Sequence, residues 1–353
     1  MNVHSMKILY LFNGSREGLV EKIKDGEYHG GGFWGMLQLP RFGIEADYIE
    51  IERSFLRPIS KLLRRLIPIY AIHIPLFWKI FSYDIVFTSS AFFSQLLHSI
   101  LHIRRPVWVM HDFSIVSIIG SGTSIKQKVF RWMTSRAQGI VTLSNTETAR
   151  LRTMFPHLAS SIECIPFGVD SDFFKPSGSS GHGVLAVGFD PERDWKTFVE
   201  AVRDVDAPVT IATRESRIAH LRPLPSHISV KQFTPKELVR AYDESALVIV
   251  PLDTSSGIND AMGLSTVYEA MAMGKTVIAT RTEATATYIE DGKNGFLVPE
   301  RDIEALRKSI SDLISNENLR KEIGDTARKY ALKNLDINEC ASRLADFFKK
   351  ITI

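Results

Sequence analysis

Short apolar runs alternate with longer amphipathic stretches along the whole chain. Runs such as 8–12, 85–88 and 184–188 are almost wholly apolar, which is typical of strands that a parallel sheet buries on both faces. Because the stretches between them have helical periodicity, the pattern predicts an α/β fold built from βαβ units. Strands are predicted at 8–12, 46–51, 85–88, 107–110, 139–143, 161–165, 184–188, 209–213, 228–232, 247–251, 276–280 and 295–298.

One stretch, 175–183, has the composition of a flexible connector: Lys-Pro-Ser-Gly-Ser-Ser-Gly-His-Gly. The chain has 353 residues, which is enough for two domains. We therefore predict two doubly wound, Rossmann-like domains, at 1–174 and 184–336, joined by this connector. The last segment, 337–353, is amphipathic and is predicted to be a helix.

Composition excludes several classes of protein. The 43 basic and 40 acidic side chains give a net charge of +3, which is too balanced for a typical nucleic-acid binder. Cys164 and Cys340 form neither a metal-binding spacing nor a disulfide framework, which fits a reducing cytosol. The first residues lack the apolar core of a signal peptide, and no run is long enough to be a transmembrane helix. We expect a cytoplasmic protein, with the inner face of the membrane as a further location.

The stretch 263–280 combines two features that are typical of a nucleotide-binding site. A glycine-led polar turn precedes a short helix, and free backbone N–H groups at a helix start can bind a diphosphate. Glu269 follows a little further along the helix, where its carboxylate could accept hydrogen bonds from two neighbouring sugar hydroxyls. The predicted ligand-binding residues of this stretch are Gly263, Leu264, Ser265, Thr266 and Glu269.

This stretch resembles the nucleotide-sugar site of retaining glycosyltransferases of family 4 (group 1), which have the GT-B fold. Their segment E-G-F-G-L-x-x-x-E-A-M-A-x-G-x-P-V-I carries two glutamates eight residues apart. The second matches Glu269, whereas the first falls at Ala261. Asp260 is a nearby carboxylate, but its spacing to Glu269 is nine. Weaker matches, such as Asp-Gly-Lys-Asn-Gly-Phe-Leu-Val at 291–298, extend the resemblance over most of the chain.

The resemblance implies two domains that face a cleft, with the helix at 337–353 crossing back onto the N-terminal domain. It implies a retaining, metal-independent transfer of a sugar from a nucleoside diphosphate sugar to a hydroxyl of a glycan or lipid-linked acceptor, in polysaccharide or glycoconjugate synthesis. A UDP-sugar is favoured as the donor, with a GDP-sugar as the alternative, and no other cofactor is expected. Two other functions stay open: a nucleotide-sugar epimerase of the same shape, and a non-catalytic partner that binds a nucleotide sugar.

Two cations follow the strand predicted at 184–188. In the family 4 glycosyltransferases that this chain resembles, the corresponding strand ends in Gly-Arg. That arginine, together with a later lysine, neutralises the diphosphate. Phe189 takes the usual arginine position here, so Arg193 and Lys196 are the predicted diphosphate ligands. The alternative is a solvated cluster in which neighbouring acidic residues pair with these bases.

Two sites in the first half are also candidates. Gly31 and Gly32 follow the first strand, where glycines would let the backbone approach the donor closely. His111 and Asp112 follow the strand predicted at 107–110, and the resemblance implies that His111 orients the transferred sugar. The alternatives are a flexible loop tip and a structural histidine.

Basic and large apolar residues are mixed between 54 and 81, where Arg57, Lys61, Arg64 and Arg65 lie among leucines, isoleucines and Trp78. Such a stretch can lie in a membrane interface. A peripheral membrane contact through 54–81 is therefore expected, with an ordinary buried helix as the alternative.

Overall fold

The computed structural model describes residues 5–89, 91–112, 114–179, 181–255 and 261–352. The chain divides into two compact units. Unit 1 contains Met1–Asp25, Gly32–Phe167 and Cys340–Ile353, and unit 2 contains Gly26–Gly31 and Gly168–Glu339.

Each unit is built on one parallel sheet. The strands are β1 (Met6–Leu11), β2 (Ile44–Tyr48), β3 (Ile85–Thr88), β4 (Val107–His111), β5 (Gly139–Thr142), β6 (Ile162–Cys164), β7 (Val184–Val187), β8 (Val209–Ala212), β9 (Ile228–Lys231), β10 (Leu247–Val250), β11 (Thr276–Thr280) and β12 (Phe296–Val298). Their order is β2-β1-β3-β4-β5-β6 in unit 1 and β12-β11-β10-β7-β8-β9 in unit 2. In both sheets the order reverses beside the first strand, which is the feature that places ligand sites at the carboxyl ends of doubly wound strands.

The α-helices are α1 (Leu19–Lys24), α2 (Ile51–Ser54), α3 (Arg57–Leu66), α4 (Phe92–Ile100), α5 (Ile115–Ile119), α6 (Ile125–Thr134), α7 (Asn145–Met154), α8 (Trp195–Ala201), α9 (Pro235–Glu244), α10 (Leu264–Ala272), α11 (Thr285–Tyr288), α12 (Ile303–Ile314), α13 (Glu317–Asn334) and α14 (Ile337–Thr352). Short 3₁₀ helices cover Gly30–Phe33, Met36–Phe42, Ile69–Ala71, Ile74–Ser82, Pro156–Ser161, Glu215–Arg217 and Ala219–Leu221. The start of α9 is set locally, because Thr234 and Glu237 form a reciprocal capping box with Pro235 at the first helical position.

Apolar side chains cover the sheet faces, as the uninterrupted Val, Ile and Leu runs require. In unit 1, one core contains Leu9 and Trp108, and the other contains Tyr10, Phe87 and Phe348. Phe348 belongs to α14, whose apolar residues therefore complete the second core of unit 1. In unit 2, Phe198 of α8 and Ile310 of α12 pack in one core with strand residues.

The boundary between the units lies at Phe167–Gly168, before the connector predicted at 175–183. That stretch belongs to unit 2 and is tied to the end of α9. Ser177 donates a backbone hydrogen bond to the Asp243 carboxylate, and the His182 N–H donates to the Glu244 carbonyl over 2.7 Å. These hydrogen bonds hold a segment whose composition alone is typical of a free connector.

Candidate functional site

The start of α10 is shaped by Gly263. This residue has a φ of 77°, and an added Cβ would lie 2.7 Å from Cγ1 of Val250, so only glycine fits without displacing β10. No side chain of the described residues caps the helix. Ser265 is exposed at its first turn, whereas Leu264 and Thr266 are buried. Among the described residues, the N-terminal amides of α10 thus have no side-chain acceptor.

Glu269 lies further along α10 and is held by a buried tyrosine. Its Oε2 accepts a hydrogen bond from the Tyr242 hydroxyl over 2.8 Å, while Oε1 has no hydrogen-bond partner among the described residues. Burial raises the pKa of Glu269 to about 7, although the Tyr242 hydrogen bond and the Arg193 charge act in the opposite direction. The Tyr242 pKa is itself raised well above its usual value by burial, so this hydroxyl stays protonated and donates. Glu269 is therefore a carboxyl group that changes charge near neutral pH, with one oxygen available for a ligand.

Arg193 brings a buried cation to the same end of the sheet. A Cβ added at Gly188, after β7, would lie 1.9 Å from the arginine Nε, and one added at Gly263 would lie 3.2 Å from Nη1. The guanidinium group therefore lies between the end of β7 and the start of α10. Its Nη2 donates to the Thr266 hydroxyl over 3.3 Å and lies 3.2 Å from the Asp190 carboxylate.

Two nitrogens of this guanidinium group, Nε and Nη1, are buried without a hydrogen-bond partner in the described part of the chain. An unsatisfied buried donor costs about 1–3 kcal/mol, and more when it is charged. Asp190 compensates the charge only in part, because its own side chain is 44% exposed. Arg193 is therefore arranged to receive an anion, and a phosphate group suits its planar set of donors.

The loop that carries Arg193 is fixed by backbone hydrogen bonds. Arg193 forms an isolated antiparallel bridge with Leu252, and the Asp194 N–H donates to the Pro251 carbonyl over 3.2 Å. Asp194 then caps α8 by accepting from the Thr197 N–H. Lys196, the second residue of α8, is exposed and forms no ion pair within the described ranges. The structure thus brings Arg193 into contact with the α10 site but gives Lys196 no contact with it.

The predicted glycine loop is divided between the units, with Gly31 in unit 2 and Gly32 in unit 1. In unit 2, the Gly30 N–H donates to the Asp170 carboxylate over 3.0 Å. A Cβ added at Gly31 would lie 3.1 Å from the His29 Nδ1, whereas one at Gly32 would meet no atom within 4 Å. Close packing therefore favours glycine at position 31 but not at position 32.

The His29 ring connects this loop to the rest of unit 2. It lies 5.2 Å from the Phe174 ring, which in turn lies 6.2 Å from the ring of Tyr242, the hydrogen-bond donor to Glu269. Residues 26–31 thus pack on the same side-chain network that holds the Glu269 carboxylate.

His111 lies at the carboxyl end of β4 in unit 1 and is almost completely buried. Its ring lies 4.8 Å from that of Trp34 and 5.1 Å from that of Phe87. Burial lowers the His111 pKa to about 3, so the imidazole is neutral at physiological pH. These contacts do not test whether His111 contacts the transferred sugar, which stays a prediction.

Asp112 forms a buried pair of carboxyl groups with Glu147. Its Oδ1 accepts from the N–H groups of Ser114 and Ile115 over 2.8 and 2.6 Å, and Glu147 Oε1 accepts from the Val116 N–H. Burial, and after it the neighbouring Glu147 charge, raise the Asp112 pKa well above its usual value. These contacts order the start of α5.

The Asp112→Asn variant should be more stable than the unmodified protein at alkaline pH. Because the pKa of Asp112 is raised in the folded state, its contribution to stability is complete below its unfolded pKa and decreases as the pH rises. Asparagine keeps the acceptor oxygen and does not titrate. The gain in unfolding free energy should increase from about pH 5 to about pH 8 in urea titrations. Asp206→Asn, at an exposed position, is the control; an equal gain in both variants would contradict the prediction.

The structure therefore joins four predicted residues, Arg193, Gly263, Thr266 and Glu269, in one arrangement within unit 2. It adds Tyr242, which sequence analysis missed because a tyrosine near the end of an amphipathic helix carries no motif. Asp260 lies outside the described residues, and Ala261 is partly buried before the start of α10.

Part of the chain is similar to known glycosyltransferases. Residues 209–330, which include α10, match the family model described as glycosyl transferases group 1. An uncharacterized glycosyltransferase of Methanocaldococcus jannaschii is 25% identical over 175 residues, or 47% of each chain. A GDP-mannose-dependent alpha-(1-6)-phosphatidylinositol monomannoside mannosyltransferase of Mycolicibacterium smegmatis is 26% identical over 214 residues, 53% of this chain and 56% of that protein. The chain thus spans about half the length of these relatives.

Solved structures are similar over nearly the whole chain. HepE of Anabaena in complex with UDP-glucose matches with a TM-score of 0.70 and 16% identity, covering 98% of this chain and 100% of that one. This likeness concerns the fold alone. It confirms the predicted GT-B architecture, with two parallel sheets flanked by helices.

Proposed function

We propose that the chain is a glycosyltransferase, because residues 209–330 match the group 1 family model, and that it transfers a sugar from a nucleoside diphosphate sugar to a hydroxyl group. The proposed reaction retains the configuration at the anomeric carbon and uses no metal. The acceptor is a glycan or a lipid-linked molecule of polysaccharide or glycoconjugate synthesis. The observation that carries this proposal is the combination, within unit 2, of Arg193, which has two buried nitrogens without a partner among the described residues, and Glu269, which lies further along α10.

The proposed donor pose follows from the charges of this site. The diphosphate binds at the α10 N-terminus and at Arg193, because both offer N–H donors to an anion. The carboxylate of Glu269 accepts hydrogen bonds from the nucleotide sugar hydroxyls, and Tyr242 fixes its orientation through Oε2. This pose uses the acceptor oxygen and the donors that have no partners in the described structure.

The same groups favour the transition state. As the bond between the anomeric carbon and the diphosphate oxygen breaks, negative charge grows on the leaving group. A fixed cation in a partly dry site stabilises that charge more than it stabilises the bound donor. The acceptor oxygen attacks from the face that the diphosphate leaves, and a phosphate oxygen takes the acceptor proton.

Two donors are supported by the comparisons. HepE was crystallised with UDP-glucose, and the mycobacterial relative is described as GDP-mannose-dependent. We propose a UDP-sugar as the donor and a GDP-sugar as the alternative. A thermal-shift screen with UDP-, GDP- and ADP-sugars tests this choice, because a ligand that binds only the folded state raises the melting temperature.

A nucleotide-release assay then tests the activity. We expect release to depend on added acceptor. Binding without release under any acceptor condition would favour the non-catalytic partner, and conversion of the donor without an acceptor would favour the epimerase. Turnover that continues in excess EDTA is expected for the metal-independent route.

Lys196→Ala should lower turnover about 100-fold if the ammonium group reaches the leaving diphosphate on donor binding. The melting temperature should not change, because the side chain is exposed and unpaired among the described residues. Lys236→Ala is a matched control, since Lys236 is also exposed at the second position of a helix in unit 2. Equal turnover in both variants would assign Lys196 to the solvated surface.

A further inference from the structure

The outward side of α3 in unit 1 has an unusual composition. Ser60, which is small and polar, is the buried residue of this helix, whereas Ile59, Leu62 and Leu66 are exposed. Leu66 is 68% exposed. The three apolar residues follow helical spacing and so form one stripe along the outside. A surface helix normally places its leucines inward and its polar residues outward.

The apolar surface continues beyond the helix. The two 3₁₀ segments that follow, Ile69–Ala71 and Ile74–Ser82, expose further large side chains, including Trp78 at 67%. The other exposed apolar residues from 56 to 81 are Leu56, Ile69, Tyr70, Ile74 and Phe81. Single exposed leucines are common on protein surfaces, but a run of this length within one segment indicates an interaction surface. We call residues 56–81 the apolar-basic face.

Cations are interspersed with these apolar residues. Lys61 and Arg65 are exposed on α3, four residues apart, and neither forms an ion pair in the part of the chain that the structure describes. Arg64, which sequence analysis grouped with them, points elsewhere: it pairs with Glu52 and donates to the Asn13 carbonyl over 3.1 Å. The bases available to a partner are therefore Lys61 and Arg65, with Arg57 in a weak, exposed contact with Glu17.

The charge of this region differs sharply from that of the whole chain. Between residues 53 and 146 there are twelve Lys or Arg residues and only two acidic ones, Asp84 and Asp112. Asp112 is buried, and its raised pKa favours the neutral form. The complete chain nevertheless has a net charge of only +3. Positive charge is thus concentrated in the stretch of sequence, 53–146, that contains the apolar-basic face.

We propose that the apolar-basic face docks unit 1 onto the surface of an anionic lipid bilayer. Apolar side chains would enter the boundary between head groups and acyl chains, and the neighbouring cations would contact lipid phosphates. No helix among the described residues is long and apolar enough to cross a bilayer, so the proposed contact is interfacial. A second copy of the chain fits this face less well, because a symmetric dimer would bring the same cations together.

Co-sedimentation with vesicles tests this proposal, and it needs neither donor nor acceptor. The full chain should bind vesicles of phosphatidylglycerol and phosphatidylcholine, and bind vesicles of phosphatidylcholine alone much less. The double variant Lys61→Gln/Arg65→Gln should bind the anionic vesicles about 30-fold more weakly, which corresponds to roughly 1 kcal/mol for each of two cations. Leu62→Gln/Leu66→Gln should bind both vesicle types at least about tenfold more weakly.

Matched variants in unit 2 provide the controls. Lys329→Gln/Lys333→Gln removes two exposed lysines, four residues apart, from α13, and Leu332→Gln removes an exposed leucine from the same helix. Both should bind vesicles as the unmodified protein does. Circular dichroism and the melting temperature of every variant should be unchanged, because each position is exposed.

Three outcomes would overturn the proposal. They are a full chain that does not bind anionic vesicles at low salt, an equal loss in the α13 controls, and a concentration-dependent dimer in sedimentation velocity that only the Leu62/Leu66 variant abolishes. The last result would assign the face to self-association. A failure of sugar transfer leaves these measurements unaffected, because vesicle binding is measured without any sugar substrate.

Discussion

Arg193→Met should reduce turnover about 1,000-fold while leaving the ligand-free protein as stable as before, or more so. The loss of turnover is expected because a fixed donor to a developing oxyanion contributes about 3–4 kcal/mol to transition-state stabilisation. The stability is expected because two buried nitrogens of the guanidinium group have no hydrogen-bond partner among the described residues. Replacing a buried ion by an apolar side chain of similar volume is often neutral or stabilising. Arg193 is thus expected to increase turnover without increasing the free energy of unfolding.

Kinetics with the screened donor and urea unfolding measure the two effects. Arg203→Gln is the control, since Arg203 follows α8 and forms an exposed ion pair with Glu200 of that helix, three residues earlier. Gly188→Ala should reproduce part of the loss of turnover, because its Cβ would displace the Arg193 side chain. A strongly destabilised Arg193→Met protein that keeps normal turnover would show that the arginine is structural.

The fold was largely predictable because hydrophobic periodicity determines it. Buried strands such as β3 and β10 are almost wholly apolar runs, and these appear in the sequence without tertiary information. The second strand is predicted at 46–51 but spans Ile44–Tyr48: its burial alternates, so no continuous apolar run marks its bounds, and Gly43, with a φ of 74°, directly precedes it. The segment 175–183 has the composition of a connector, but only tertiary hydrogen bonds determine where it packs.

The site was predictable where a motif carries it. Gly263 and Glu269 are predicted as ligand-binding residues from the local sequence motif of one helix. Arg193 was identified as a cation of this loop, but sequence analysis could not show that its side chain folds back over Gly188. Tyr242 was missed for a related reason: it comes from a different helix, and only the packing of α9 brings its hydroxyl to the carboxylate. Local sequence patterns do not determine which side chains from distant segments contact each other.

Glu269 should make donor binding depend on pH in a predictable direction. Only the carboxylate can accept from both hydroxyls of a sugar, and burial raises the pKa of this group to about 7 in the ligand-free protein. Affinity for a UDP-sugar should therefore increase as the pH rises from about 6 to about 8, and binding below the pKa should release a proton. A nucleotide sugar is the right probe, because its diphosphate is esterified at both ends and does not titrate in this range.

Calorimetry in two buffers of different ionisation enthalpy measures both the affinity and the proton release. Glu269→Ala should bind about 100-fold more weakly at alkaline pH, since each hydrogen bond to a charged group contributes about 1.5–3 kcal/mol. Glu269→Gln should bind with no pH dependence in this range. Tyr242→Phe is the sharper test: it removes the hydrogen bond that lowers the pKa of Glu269, so the rise in affinity should move to higher pH. An unmodified protein whose affinity stays constant across this range, or a Tyr242→Phe profile that moves to lower pH, would show that the carboxylate does not bind the nucleotide sugar.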